Sequence, residues 1–168
     1  RLCAPALAAL PTACATWRSA PDRIVEAAAA RDLTRAELLT TLRQADVVFD
    51  NFGYGVTRRL KIDHDTLAKI NPRIVTCSAS GFGETGPEPN RPAFDQVVQG
   101  MGGGMSITGF ADRDPVRSGI PMGDLGGGVF GVIGVLAALT ERGTTGVGRH
   151  VDVSMLDVQI SLLNYMAT

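Results

Sequence analysis

The sequence predicts an α/β fold built on a parallel sheet, and three observations lead there. Short apolar runs such as VVF at 47–49 and IVTC at 74–77 read as strands buried on both faces. Stretches with helical capping and spacing alternate with them, as in β-α-β units. Each apolar run also breaks into glycine and small polar residues at its C-terminal end, where sheets of this kind take their ligands. A length of 168 residues suits one ordinary domain, and 45% hydrophobic with 20% charged residues marks a globular chain.

Residues 1–31 form an Ala-rich leader in which EAAAAR favours helix without a clear apolar face. The opening RLCAPALAALPTACA has the Arg, apolar middle and small-residue end of a secretory signal. Pro5 and Pro11 interrupt it and its basic region is one residue, so it is read as no signal. TRAELLTTLRQ starts a helix: Thr34 and Glu37 make a capping box, and Leu38, Leu39 and Leu42 a stripe. ADVVFDNF is a buried parallel strand, DHDTLAKINP a short helix closed by Pro72, and RIVTCSASGFG a second buried strand. PAFDQVVQGMGG is helical, MSITGF a further strand, and ADRDPVR a polar loop. Asp124 to about Arg142 is a helix apolar on every side, hence central. GTTGVGRHVDVSM gives a turn and a strand with Val151 and Val153 on one face, and LDVQISLLNYMAT a closing helix. The longest apolar stretch, Val129 to Leu139, is too short for a membrane span and holds Gly131 and Gly134.

A net charge of −1 implies no attraction to nucleic acid or an anionic membrane. Cys3, Cys14 and Cys77 make no CxxC pair, which suits reduced thiols in the cytoplasm, with Cys77 a core residue. His64 and His150 stand apart, each read as a surface or rim residue, so no metal site is expected. No serine lies in a G-x-S-x-G elbow and no GK[ST] occurs. GMGGGMSITG and GDLGGGVFG lack the preceding strand and following acid of a dinucleotide fingerprint.

Asp124 is the single charge between Ser118 and Leu139. As the residue before the helix it reads as an N-cap. It also reads as a nucleophile: Gly126, Gly127 and Gly128 would leave space beside the carboxylate, and the positive helix end would keep it ionised. Arg59, after a glycine-rich strand end, is either a solvated cation or a partner for phosphate. Asn51 and Phe52 would face the same crevice.

ADVVFDNFGYGVTRRLKIDHDTLAKINPRIVTCSASGFGETGP, PAFDQVVQGMGG, GDLGGG…GVLAAL and TGVGRHVDVSMLD occur in that order. Together they resemble the family III CoA-transferases, the CaiB/BaiF family, from about Asp32 to the end. The resemblance implies a Rossmann-like parallel sheet of that family's large domain, incomplete and without its small domain, over residues 32–168. It implies an acyl-CoA:carboxylate CoA-transferase with coenzyme A as substrate moiety, no metal, and a homodimer of interlocked chains. Asp124 falls on the family's catalytic Asp, which forms a mixed anhydride and then an aspartyl-CoA thioester. Asn51, Phe52, Gly53 and Arg59 fall on CoA-contacting positions, and Arg91 and Phe94 border the pantetheine. The related α-methylacyl-CoA racemases pair the Asp with a His where this chain has Phe94, which makes that reading secondary. An inactive CoA-binding remnant is the third reading. Residues 1–31 do not read like the family, and the chain is expected to have little or no activity by itself.

Overall fold

The computed structural model describes residues 24–26 and 35–167. Among these, four strands form one parallel sheet in the order β1 (Ile24–Glu26), β2 (Val47–Asp50), β3 (Val75–Ser80), β4 (His150–Ser154). The registers Val47↔Val75 and Cys77↔Val151 align β2, β3 and β4. Val47, Val48, Val75 and Cys77 are at most 2% exposed. This two-sided burial is why the strands read as continuous apolar runs rather than alternating ones. Each buried Val adds about 1.5–2 kcal/mol of transfer free energy.

Six helices lie between and after the strands among the described residues: α1 (Arg35–Gln44), α2 (Val56–Leu60), α3 (His64–Ala68), α4 (Asp95–Met101), α5 (Met122–Thr145) and α6 (Met155–Leu163). A 3-10 turn over Asn164–Ala167 follows. Local chemistry sets several boundaries. Asp63 caps α3 by accepting from the Thr66 amide at 3.0 Å, and Ser154 caps α6 by accepting from the Asp157 amide at 3.2 Å. Gly55 enters α2 at φ +74°, a left-handed conformation that a side chain would strain.

The long helix α5 covers one face of the sheet. Gly131 lies against Phe49 and Cys77, and Gly134 against Val151. At its C-terminal end, buried Arg142 pairs with Asp46 at 2.9 Å and donates to the Arg73 carbonyl at 3.1 Å. Asp46 and Arg73 directly precede β2 and β3, so α5 runs antiparallel to the strands. Its first turn therefore lies toward their C-terminal edge. The opposite face of the sheet holds a second core: Val48 packed with Leu42, Ala45, Ile62, Leu67 and Ile74.

The structure corrects several expectations. Ile24–Glu26 is a strand, so Glu26 is not the start of a helix; residues 27–34, the rest of the Ala-rich stretch and Thr34 lie outside the described residues. MSITGF is a series of turns, not a strand. Gly103 at φ +82° turns the chain, and Ser106 and Thr108 hydroxyls donate back to the Gly103 and Gly104 carbonyls, both at 2.7 Å. Helix α5 has 24 residues, long and apolar enough to cross a membrane by length and composition. Its glycine side instead packs on the sheet. Its apolar character is not matched by burial all round, because Leu125, Val129, Ile133 and Leu136 are each more than half exposed.

Candidate active site

Helix α5 begins at Met122, with Pro121 as its N-cap, so Asp124 sits inside the first turn rather than capping it. Another carboxylate takes the cap's place. Asp95, the first residue of α4 and 9% exposed, accepts from the Gly123 amide at 2.8 Å and the Asp124 amide at 3.4 Å through Oδ1. Pro121 lacks a capping side chain, which leaves the first amides of α5 to an acid from a different helix. A methyl group at Gly123 would collide with Val98, so the approach of α4 to α5 depends on that glycine.

The consequence for Asp124 is that its carboxylate is not used by the backbone. It is exposed and accepts no hydrogen bond among the described residues. Partial desolvation, and after it the negative charge of Asp95, push its pKa above the ordinary aspartate value. From sequence, the helix end would favour ionisation; the amides responsible are occupied by Asp95, and the balance runs the other way. The glycines beside it also divide in role. Gly126 is filled in by Val158 and Leu162 of α6, and Gly127 by Met155, whereas Gly128 faces open space. Two of the three glycines are there for helix packing.

The other sequence-selected residues lie in the segments that follow β2 and β3. Asn51 follows β2 and donates through Nδ2 to the Ala79 carbonyl at 2.6 Å, tying the ends of β2 and β3 together. Phe52 is half-buried against the second core, and its amide donates to Asp50 at 3.0 Å. Gly53 has nothing near it, and Arg59 on α2 is exposed. Arg91 lies in the loop after β3, paired with Glu88 at 2.8 Å and 5.3 Å from the centre of the Phe82 ring. Phe94 is 79% exposed and immediately precedes Asp95. The structure thus brings Phe94 and Asp124 to one place through Asp95, and Asn51 beside the end of β3.

Sequence reasoning missed two groups. Asp95 and Gln99 were not singled out, although their i, i+4 spacing beside a glycine-rich helix start was visible. The two histidines, read as isolated, lie together on the sheet face away from α5. Thr76 Oγ1 is 3.0 Å from His64 Nδ1 and 2.8 Å from His150 Nδ1, and His150 Nε2 is 3.1 Å from Glu84. They line a cleft of about 120 Å³ with Asp50, Ser78 and Arg58. No histidine therefore shares the Asp124 side of the sheet.

The chain is similar to known proteins in both sequence and fold. The family model described as CoA-transferase family III matches residues 30–168. The chain is 48% identical over 132 residues to the acetyl-CoA:oxalate CoA-transferase of Acetobacter aceti, covering 78% of this chain and 34% of that protein. It is 39% identical over 122 residues to the succinate–glutarate CoA-transferase of Agrobacterium fabrum, covering 73% and 30%. The crystal structure of a CAIB/BAIF family protein from Brucella suis superposes with a TM-score of 0.76 at 36% identity, over 80% of this chain and 36% of that one. The chain spans about a third of the length of the curated relatives it matches.

Proposed function

The chain belongs to CoA-transferase family III, and on that premise we propose that it carries the nucleophile of a transferase moving coenzyme A from an acyl-CoA to a carboxylic acid. The observation that carries the reading is the uncommitted Asp124 carboxylate on a helix turn whose amides are capped by Asp95. An Asp124 oxygen attacks the thioester carbonyl, and the C–S bond breaks to give a mixed anhydride and CoA thiolate. The thiolate attacks the aspartyl carbonyl, the donor carboxylate leaves, and an aspartyl-CoA thioester remains. The acceptor carboxylate repeats the sequence in reverse, which restores Asp124 and releases the new acyl-CoA. No net proton is consumed. Asn51, Phe52, Gly53 and Arg59 hold the nucleotide end of coenzyme A, the Arg59 guanidinium pairing with phosphate. Arg91 and Phe94 border the pantetheine arm, and the open space at Gly128 admits the acyl group. The assembly is a cytoplasmic homodimer.

Proton exchange at the acyl α-carbon receives no support from the site. Phe94 offers no acid or base beside Asp124, and His64 and His150 are across the sheet. The test is hydroxylamine trapping on the chain incubated with an acyl-CoA, a readout of the first half-reaction that requires no turnover, followed by peptide mass spectrometry. A hydroxamate at Asp124, absent with free CoA and absent in Asp124→Asn, is the expected result. Hydroxamate at another residue, or none at Asp124, refutes the assignment.

A further inference from the structure

We propose that Gln99 is a positioning residue for Asp124, acting through Asp95 and the Ser118–Ile120 strap; the proposal rests on Asp124 being the nucleophile. Gln99 is 1% exposed, one of the largest fully buried side chains, and it is polar. A buried primary amide is costly unless both ends are satisfied. Here both are. Oε1 accepts from the Ser118 amide at 2.9 Å, while Nε2 donates to Asp95 Oδ2 at 2.7 Å and to the Ile120 carbonyl at 3.3 Å. The second Asp95 oxygen, Oδ1, is the one that receives the Gly123 and Asp124 amides.

The amide has one workable orientation. Rotating it by half a turn would set NH₂ against the Ser118 N–H and oxygen against the Asp95 carboxylate, opposing like groups at both ends. The i, i+4 spacing on α4 keeps Gln99 and Asp95 on one face, so neither can shift without the other. Residues 111–117, which lead into the strap, are all exposed. The buried tie at Gln99 is thus what holds the Ser118–Ile120 end of that exposed loop beside α5. One side chain in this way sets both the path into α5 and the carboxylate that caps it, and with them the height and angle at which Asp124 leaves the helix. Loss of the tie is expected to misplace the nucleophile rather than to weaken acyl-CoA binding.

Two variants test this. Gln99→Leu keeps the volume and removes both ends of the tie. The double variant Asp95→Asn with Gln99→Glu swaps donor and acceptor. Its side-chain amide at position 95 still accepts from Gly123 and now donates to the carboxylate at position 99, which still accepts from Ser118 and gives up only the longer contact to the Ile120 carbonyl. In Gln99→Leu, amide exchange at Ser118 and Gly123 should quicken. The limiting rate of Asp124 hydroxamate formation should fall about 10²-fold, at an unchanged half-saturating acyl-CoA concentration. The swap should restore slow exchange and most of the rate. Unchanged Gly123 exchange in Gln99→Leu overturns the proposal whether or not the chain reacts. Gly123 exchange in the swap as fast as in Asp95→Ala, which has no cap at all, does so too, even where Gln99→Leu does not fold. Wild-type labelling at Asp124 with an equal rate in Gln99→Leu sinks the Gln99 role alone, whereas labelling that survives Asp124→Asn sinks the nucleophile assignment itself.

Discussion

Asp124, the nucleophile we propose, keeps its carboxylate charged at some cost to folding. Its pKa is raised by partial desolvation and by Asp95. The folded chain therefore holds its proton more tightly than the unfolded chain does, and the ionised form is disfavoured by folding. By linkage, the penalty is full where Asp124 is charged in both states and is relieved as pH falls through the folded pKa toward the lower unfolded one. Asp124→Asn removes the penalty without changing shape. It is expected to raise the urea midpoint at pH 7 while reducing hydroxamate formation by at least about 10³-fold. A lowered midpoint would show that the carboxylate makes favourable contacts instead. Cys77 is the contrasting case: burial, then the nearby Asp50 and Asp152, push its thiol up to about 12, and it packs fully buried in the core. That role was legible from its place in an apolar strand. The charge balance at Asp124 was not, because it depends on an acid 29 positions away.

At the scale of the element, α5 is shaped by glycines whose purposes differ. Gly128 faces open space, so Ala there gains helix propensity of about 0.8–1 kcal/mol with nothing to collide with. A methyl at Gly131 would lie 2.8 Å from the edge of the Phe49 ring, inside the core. Urea unfolding should show Gly128→Ala stabilised by roughly that amount. Gly131→Ala should be destabilised by about 1 kcal/mol or more despite the same propensity gain. Equal effects at both positions would mean that α5 does not pack on the sheet through this seam. The helix and its apolar content were plain in the sequence. Which glycines face neighbours was not, since every residue of the run is small or apolar and no polar face marks the exposed side.

For the molecule as a whole, the two sheet faces have different chemistry. The α5 face is apolar, and the other holds the His64–Thr76–His150–Glu84 chain above the second core. Burial, and then the neighbouring His150, push the pKa of His64 below its ordinary value, against the opposing pull of Asp65 and Asp63. The unfolded chain therefore takes up this proton first. Stability is full above the ordinary value of about 6.5 and is lost as pH falls below it. Urea midpoints between pH 7.5 and 5.5 should decline in the wild type and decline less in His64→Gln. A flat wild-type profile would contradict the buried placement of His64. Leu125, Val129, Ile133 and Leu136 give α5 an exposed apolar outer side, opposite the glycines that pack on the sheet.

The sequence by itself determined the parallel α/β class, the buried strands at 47–50 and 75–80, the long apolar helix and the family, because each rests on local pattern or on motifs read in order. It also marked Asp124 as the residue to watch. Only the tertiary structure decided that Asp95 caps α5 in its place, that Gln99 ties the strap to that cap, and that two distant histidines share one threonine. Each of those facts is a contact between segments far apart in the chain, and the hydrogen-bond partner of a buried polar group is fixed by packing, not by its neighbours in sequence.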